Sequence, residues 1–320
     1  MDLYQKISLE MIDDFNVNHV TENEAKTGVS VIYFKNGARV GVDISGGGPA
    51  SRETPLATPL TADNLVNAIV LSGGSAYGLA ACQGVMNCLE KHAIGLETNY
   101  ARVPLVLGSC IYDLGYGSSS LRPDETMGYK ACEYALKATS DKHGNIGAGT
   151  GATVGKLLGM KQASKSGLGV YTICFGDIYL SAIVVVNALG DIFDTNGKKI
   201  AGVLNHERKS YLSFENTLGY LPNHSDEKSN TTLGVLVTNA KFNKAELAKI
   251  ANMARNGYAR SIDPVGTMAD GDTIYACSVG EHPSDINVIG TLAAKVMQLA
   301  IIDAIKASKI DDQEYLSNCR

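Results

Sequence analysis

Three short runs in this 320-residue chain place side chains where they could do chemistry: Asn230-Thr231, Asp270-Gly271-Asp272, and Ser75 in SGGSAYG. A threonine hydroxyl is a weak nucleophile until a base takes its proton. A threonine at a chain terminus carries that base on itself, because a free α-amine has a pKa of about 7.7–8.0. Such chemistry needs a cleavable junction in an accessible loop, followed at once by a buried strand that holds the new terminus. Residues 205–230 are polar, carry a proline and lack periodicity, and TTLGVLVTNA begins at Thr231 as a buried-strand pattern with no lead-in. Taken alone, NTTLG reads sooner as an ordinary strand start. Asp270 and Asp272 stand at i and i+2 where a strand begins, so both carboxylates could reach one site. The same spacing also suits a turn, which spacing by itself slightly prefers. Ser75 lies between a buried strand and a helix, the setting of a nucleophile elbow, but GxSxG needs glycine where Tyr77 stands. The preferred reading is that Ser75 caps the helix.

Other motifs fail on single residues. Gly155-Lys156 would close a phosphate loop, but Leu157 stands where a hydroxyl should meet magnesium. GAGTG (147–151) lacks the third glycine of a dinucleotide fingerprint. There is no HExxH, no EF-hand loop and no His/Cys cluster, so neither a metal nor a cofactor is expected.

The elements that must position these residues read as follows. Val29 to Phe34 and Ala38 to Asp43 flank Asn36-Gly37 and suggest a hairpin. Ala68 to Leu71 is a buried strand, followed by a Gly-Gly turn and a helix from about Ser75 to Lys91. A second helix covers Tyr129 to Ala138, and residues 169–175 and 178–187 make a hairpin around Gly176-Asp177. After the 205–230 break and the strand at Thr231, Asn243 and Glu246 form a capping box. The helix they open carries Leu247, Ile250, Met253, Ala254 and Tyr258 on one face. A strand over Thr273 to Val279 and a helix from Asp285 to about Ser308 complete the chain. Helices layered on antiparallel sheet are the expected architecture. The 34 glycines cluster at residues 46–49, 72–78, 144–156 and 166–169, which implies tight turns or close backbone approach.

Composition bounds the setting. Net charge is −5 with no long basic run, which argues against nucleic acid or anionic membrane as partner. MDLYQKISLEMIDDF has acids where a signal peptide needs an apolar stretch, and no apolar run reads as long enough to span a bilayer. The seven scattered cysteines, with no CxxC, are expected as reduced thiols in a cytoplasmic protein.

Taken together, FNVNHVTENEAKTGVSVI, DISGGGPASRET, VLSGGSAYGLAACQGV, GNIGAGTGATVGK, KSGLG, VVVNALGDI, NTTLGVLVTNA and DGDTIYA span about residues 15 to 307. In that order they resemble the L-aminopeptidase/D-Ala-esterase/amidase family, which also holds β-peptidyl aminopeptidases and 6-aminohexanoate-oligomer hydrolases. The resemblance implies an α/β (α+β) fold, an αββα four-layer sandwich like that of N-terminal-nucleophile hydrolases but with different connectivity. It implies one peptidase domain over 1–320 that cuts itself at Asn230-Thr231 into a larger chain, 1–230, and a smaller one, 231–320, which stay together and assemble into a homo-oligomer. Thr231 matches the nucleophile, Asp270 and Asp272 the acidic pair that orients it, and Asn187 an asparagine that holds the oxyanion. Lys165 in KSGLG matches a site lysine, although the family often has KGGLG, and Tyr112 in IYDLG matches a site tyrosine. Arg52, Glu53 and Ser75 would line or buttress the substrate pocket. Some members use serine with Ser-Gly-Glu; the threonine and paired aspartates here are shared with the nylon-oligomer hydrolases.

The expected reaction is hydrolysis of a small peptide, amino-acid amide or ester through an acyl-threonine, with the freed amine as base. Three rivals stay open at this point: an acyltransferase using the same acyl-enzyme, an unprocessed member acting as a binding module, and a serine hydrolase using Ser75.

Overall fold

Residues Thr27–Ile44 form one strand of 18 residues, where the sequence suggests two strands and a turn. Gly37 takes a positive φ of 75°, but the chain does not reverse there. The register shifts between Tyr33 and Ala38, so Asn36-Gly37 is a bulge in a strand passing from one sheet into another.

The computed structural model describes residues 4–213, 217, 219 and 230–320. The first strands are β1 (Gln5–Ile7), β2 (Phe15–Glu22), the long β3 (Thr27–Ile44), β4 (Ala50–Arg52) and β5 (Val66–Ser72). Next come α1 (Ala80–Lys91), β6 (Leu96–Glu97), β7 (Arg102–Val103), β8 (Val106–Cys110) and α2 (Glu125–Lys137). Then follow β9 (Thr153–Val154), β10 (Ser164–Lys165), β11 (Leu168–Phe175), β12 (Ile178–Asn187), β13 (Asp191–Phe193) and β14 (Lys199–Ala201). The last are β15 (Thr231–Ala240), α3 (Lys244–Ser261), β16 (Ile262–Asp263), β17 (Thr273–His282), α4 (Ile286–Ala307) and α5 (Asp312–Ser317).

One sheet runs β1-β11-β12-β15-β17 and on to the second half of β3; the other joins β2, the first half of β3, β5, β8 and β4. Their inner faces share one core, in which Ile32, Phe34, Ile69 and Leu107 meet Ile183, Val185, Leu233, Val235 and Tyr275. On the outer face of the first sheet, Leu180, Val184, Leu236 and Ile274 pack against Leu247, Ile250, Val296, Met297 and Ile301 of α3 and α4. On the outer face of the second, Val29, Val31, Ala68 and Val70 pack against Cys82, Val85, Leu89, Ala131 and Cys132 of α1 and α2. The layers are therefore helix, sheet, sheet, helix.

The sheets are mixed, not antiparallel as the sequence suggests. β15 runs parallel to β17 and β5 parallel to β8, because α3 and α1 return the chain between the members of each pair. The hairpin β11–β12 and the capping box of α3 stand as read. α2 begins four residues before Tyr129, its first turn capped by Asp124, whose carboxylate accepts the Met127 N–H at 2.9 Å. Against the expectation that no apolar run is long enough to span a bilayer, α4, at 22 residues, is long and apolar enough to cross a membrane by length and composition; most of it is buried. Of the expected 205–230 loop, residues 205–213 make turns with a bridge between Leu204 and Tyr211. Residues 214–216, 218 and 220–229 lie outside the described residues.

Candidate active site

Three chain segments converge at one end of the first sheet. β12 ends at Asn187, the antiparallel partner of Thr231 at the start of β15. β15 and β17 run parallel, with Leu233 opposite Thr273, and Asn230 bridges Asp270. Thr231 alternates with Leu233, Val235 and Val237, and Asn187 with Val185 and Ile183, so both side chains face the space between the sheets. All ten residues of β15 are buried, which fixes the position of its first.

The Thr231 hydroxyl donates to the carbonyl oxygen of Asn230, the residue before it. The Gly271 N–H donates to that same oxygen at 2.9 Å. Only glycine fits at 271: a Cβ there would lie 2.7 Å from Thr231 Oγ1 and 2.8 Å from the Gly48 carbonyl. The GGGP run supplies that neighbour, since Gly46 and Gly48 donate to the carbonyls of Asp272 and Asp270 and lay their loop along the DGD turn.

Both aspartates are buried and bonded to backbone. Asp272 accepts the Thr232 N–H at 2.6 Å and the Gly266 N–H at 3.0 Å. Burial first, then repulsion from Asp270, raises its pKa to about 7, against the N–H donors and the charge of Lys156. Asp270 accepts the N–H and hydroxyl of Thr267 at 2.9 and 2.6 Å, and the Leu189 N–H at 3.5 Å. The pair thus holds the backbone one residue beyond Thr231 and the turn behind it.

Asn187 is fully buried, donates from Nδ2 to the Tyr112 carbonyl at 3.0 Å and accepts the Thr153 N–H at 3.1 Å. An amide nitrogen carries two N–H groups, and Tyr112 takes one of them. The cation on Asn187 is Lys156: its buried ammonium donates to the Asn187 carbonyl at 2.9 Å. In the sequence Lys156 stands out only at the end of an incomplete phosphate loop. Its signal was a lone lysine in the apolar run TVGKLLG.

Lys165 lies elsewhere. Its ammonium donates to the carbonyls of Ala152 (2.9 Å), Gly149 (3.4 Å) and Ser166, and sits 5.5 Å from the Tyr116 ring centre. Burial lowers its pKa to about 7, opposed by Asp113. Lys165 is joined to the site through backbone, as the β10 partner of Thr153, whose N–H donates to Asn187. Tyr112 is partly exposed and meets Asn187 through its carbonyl. Arg52 is turned onto α1, where it donates to Gln83 Oε1 and Met86 Sδ, both at 3.1 Å. Glu53 is exposed in a left-handed conformation, with φ of 59°. Ser75 also has a left-handed φ, 56°, and its N–H donates to the Ile111 carbonyl. It does not cap the helix: it opens a five-residue 3-10 turn whose N-cap is Gly74, and Leu79 at the end of that turn is the N-cap of α1. Among the described residues, no group of three or more His, Cys, Asp or Glu could hold a metal.

Comparison with known proteins identifies the family and the fold. The model of peptidase family S58 matches residues 11–314. An uncharacterized aminopeptidase of Mycobacterium leprae is 36% identical over 263 residues, covering 79% of this chain and 71% of its own length. A 6-aminohexanoate-oligomer endohydrolase of Agromyces is 30% identical over 303 residues, 88% of this chain and 81% of that one. The L-aminopeptidase D-Ala-esterase/amidase of Ochrobactrum anthropi, described as a variant of the Ntn hydrolase fold, superposes with a TM-score of 0.69 at 18% identity, over 97% of this chain and 92% of its own. A β-aminopeptidase of Burkholderia gives 0.70 at 15% identity with the same coverage.

Proposed function

The chain belongs to peptidase family S58 and is a hydrolase of peptide or amide bonds, an aminopeptidase or amidase, and on that premise we propose that Thr231 is its nucleophile, released by self-cleavage after Asn230. The observation that carries this reading is the carbonyl of Asn230, held by the Thr231 hydroxyl on one side and the Gly271 N–H on the other. Attack of Oγ1 on that carbonyl carbon forms a C–O bond and puts negative charge on an oxygen that already has a backbone donor. Collapse breaks the C–N bond, and the nitrogen takes a proton to become the Thr231 amine. Water then hydrolyses the ester, leaving a carboxylate on Asn230 and a free amine and hydroxyl on Thr231.

In turnover the amine takes the hydroxyl proton as Oγ1 attacks the substrate carbonyl, and returns it to the leaving amine. Asp270 and Asp272 fix the backbone carrying the amine, and the second N–H of Asn187 serves the substrate oxyanion. The substrates that fit are small peptides, amino-acid amides or esters with a free amine. The relative that hydrolyses 6-aminohexanoate oligomers extends this class to ω-amino amides.

Intact mass under denaturing conditions tests the reading. Wild type should separate into pieces of 1–230 and 231–320 and hydrolyse an aminoacyl amide, while Thr231→Ala should stay whole and inactive. A cleaved, active Thr231→Ala protein would remove Thr231 from the mechanism.

A further inference from the structure

Tyr258 lies on the face of α3 turned to the first sheet and is fully buried. Its hydroxyl stands 3.3 Å from the Thr232 carbonyl and 3.5 Å from the Thr273 carbonyl. These belong to adjacent parallel strands: Thr232 directly follows the proposed nucleophile, and Thr273 directly follows Asp272. One phenol proton shared between two acceptors ties the start of β15 to the start of β17. A glycine makes the room, since a Cβ on Gly234 would lie 2.7 Å from the phenol oxygen. Its ring packs among Leu247, Ile250 and Met297 of the same cluster, where a phenylalanine ring would pack as well, and Asp272 and Asp43 are near enough to act on the phenol by charge. A hydroxyl buried there costs free energy unless its bonds are needed.

We infer that Tyr258 is a positioning residue for the reaction at Thr231, its hydroxyl holding the starts of β15 and β17 in register. The inference rests on the Thr231 reading above. Before cleavage the peptide bond to Asn230 tethers Thr231 from its N-terminal side. Afterwards that tether is gone, and the new terminus keeps its place through the ladders that β15 makes with β12 and β17, the bond from Thr232 N–H to Asp272, and the bond from Tyr258 to the Thr232 carbonyl. Tyr258 is the one of these three that comes from the helical layer, so it couples the terminus to a body that cleavage leaves intact.

The test compares full-length wild type, Tyr258→Phe and Ile250→Val. Tyr258→Phe removes the hydroxyl and keeps the ring; Ile250→Val trims the same helix face without touching a polar bond. Self-cleavage is followed by denaturing mass in a time course after synthesis, kcat and KM on an aminoacyl amide, and stability by thermal midpoint. In Tyr258→Phe, self-cleavage and kcat should each fall about five- to tenfold, the loss of one net hydrogen bond, with KM within about twofold. Ile250→Val should cleave and turn over as wild type does. The inference is overturned if Tyr258→Phe matches wild type in both rates, or if both variants lose rate in proportion to thermal midpoint. A wild type that never cleaves overturns the Thr231 reading itself, and this inference with it.

Discussion

If Thr231 is the nucleophile, as proposed, its hydroxyl already meets the Asn230 carbonyl in the uncut chain, so the charged groups around it would decide when the chemistry runs. The amine that the proposed cleavage would free on Thr231 precedes Thr232, whose N–H donates to Asp272, a carboxylate that favours the ammonium form, and it lies on the ladder position opposite Asn187, whose carbonyl accepts from Lys156. A second positive charge there disfavours ammonium and keeps the amine available as a base at neutral pH. Lys156→Met should therefore shift the acidic limb of kcat/KM upward by roughly one pH unit, while Lys156→Arg leaves it in place. A pH profile from 5 to 10 checks this, and an unmoved limb in Lys156→Met would remove the lysine from the amine's environment. Asp272 gives a separate test in the uncleaved Thr231→Ala background. Its folded pKa, raised to about 7, exceeds its unfolded value near 3.8, so between these the folded chain binds more protons. Stability from this group therefore falls as pH rises from about 4 to about 7, by up to about 4 kcal/mol, and is level above. Replacing Asp272 by Asn should flatten that slope, read as the difference in thermal midpoint between the two proteins across the range. His19, lowered to about 4 by burial, contributes its own loss on the acid side and cancels in the difference.

Among the elements, glycines do what the sequence suggested in kind but not always in place. Gly169, in the SGLG cluster, lets α4 lie on β11: a Cβ there would meet the Ala300 carbonyl at 2.0 Å and the Ala304 nitrogen at 2.6 Å. Gly169→Val should lift α4 from the sheet and cost at least about 1–3 kcal/mol in urea denaturation. A midpoint within error of wild type would mean that the helix shifts freely. Strands and helices with a strong period and a clear cap were legible, as at β15 and α3. Asn36-Gly37 misled because its local chemistry is that of a hairpin turn, while the outcome was set by what flanks it. Both flanks of β3 are core-forming and pair with different strands, so a bulge satisfies them and a reversal does not. The parallel pairing of β15 with β17 was hidden for a similar reason, being a property of the α3 return rather than of either strand. At the candidate site, Thr231, the DGD run and Asn187, which the structure brings together, were marked in the sequence by spacing or by the family resemblance. Lys156, the Gly271 N–H and Tyr258 were not: one is a lysine among apolar residues, one is backbone, and one reads as an ordinary core aromatic.

For the whole molecule, the proposed cut between residues 230 and 231 would have a mechanical consequence. β15 lies between β12 and β17, and β17 between β15 and β3, so the piece 231–320 supplies two interior strands of the first sheet and both helices that cover it. Its C-terminal end reaches back over the larger piece: Tyr315 stacks on Tyr116 at 5.4 Å and donates to the Met160 carbonyl, Arg208 pairs with Asp312 at 2.7 Å, and Arg320 donates to Ser119. Removing the piece would open β12 and β3 as bare edges and expose the core shared with α3 and α4. The cleaved protein should therefore run as one species in size exclusion and unfold in one transition. Unfolding of the cleaved form releases one more chain per protomer than that of uncleaved Thr231→Ala, so its thermal midpoint should rise more steeply with protein concentration. Calorimetry over a hundredfold range of concentration distinguishes the two. Pieces that separate under native conditions, or midpoints equally dependent on concentration, would contradict a sheet completed by both chains.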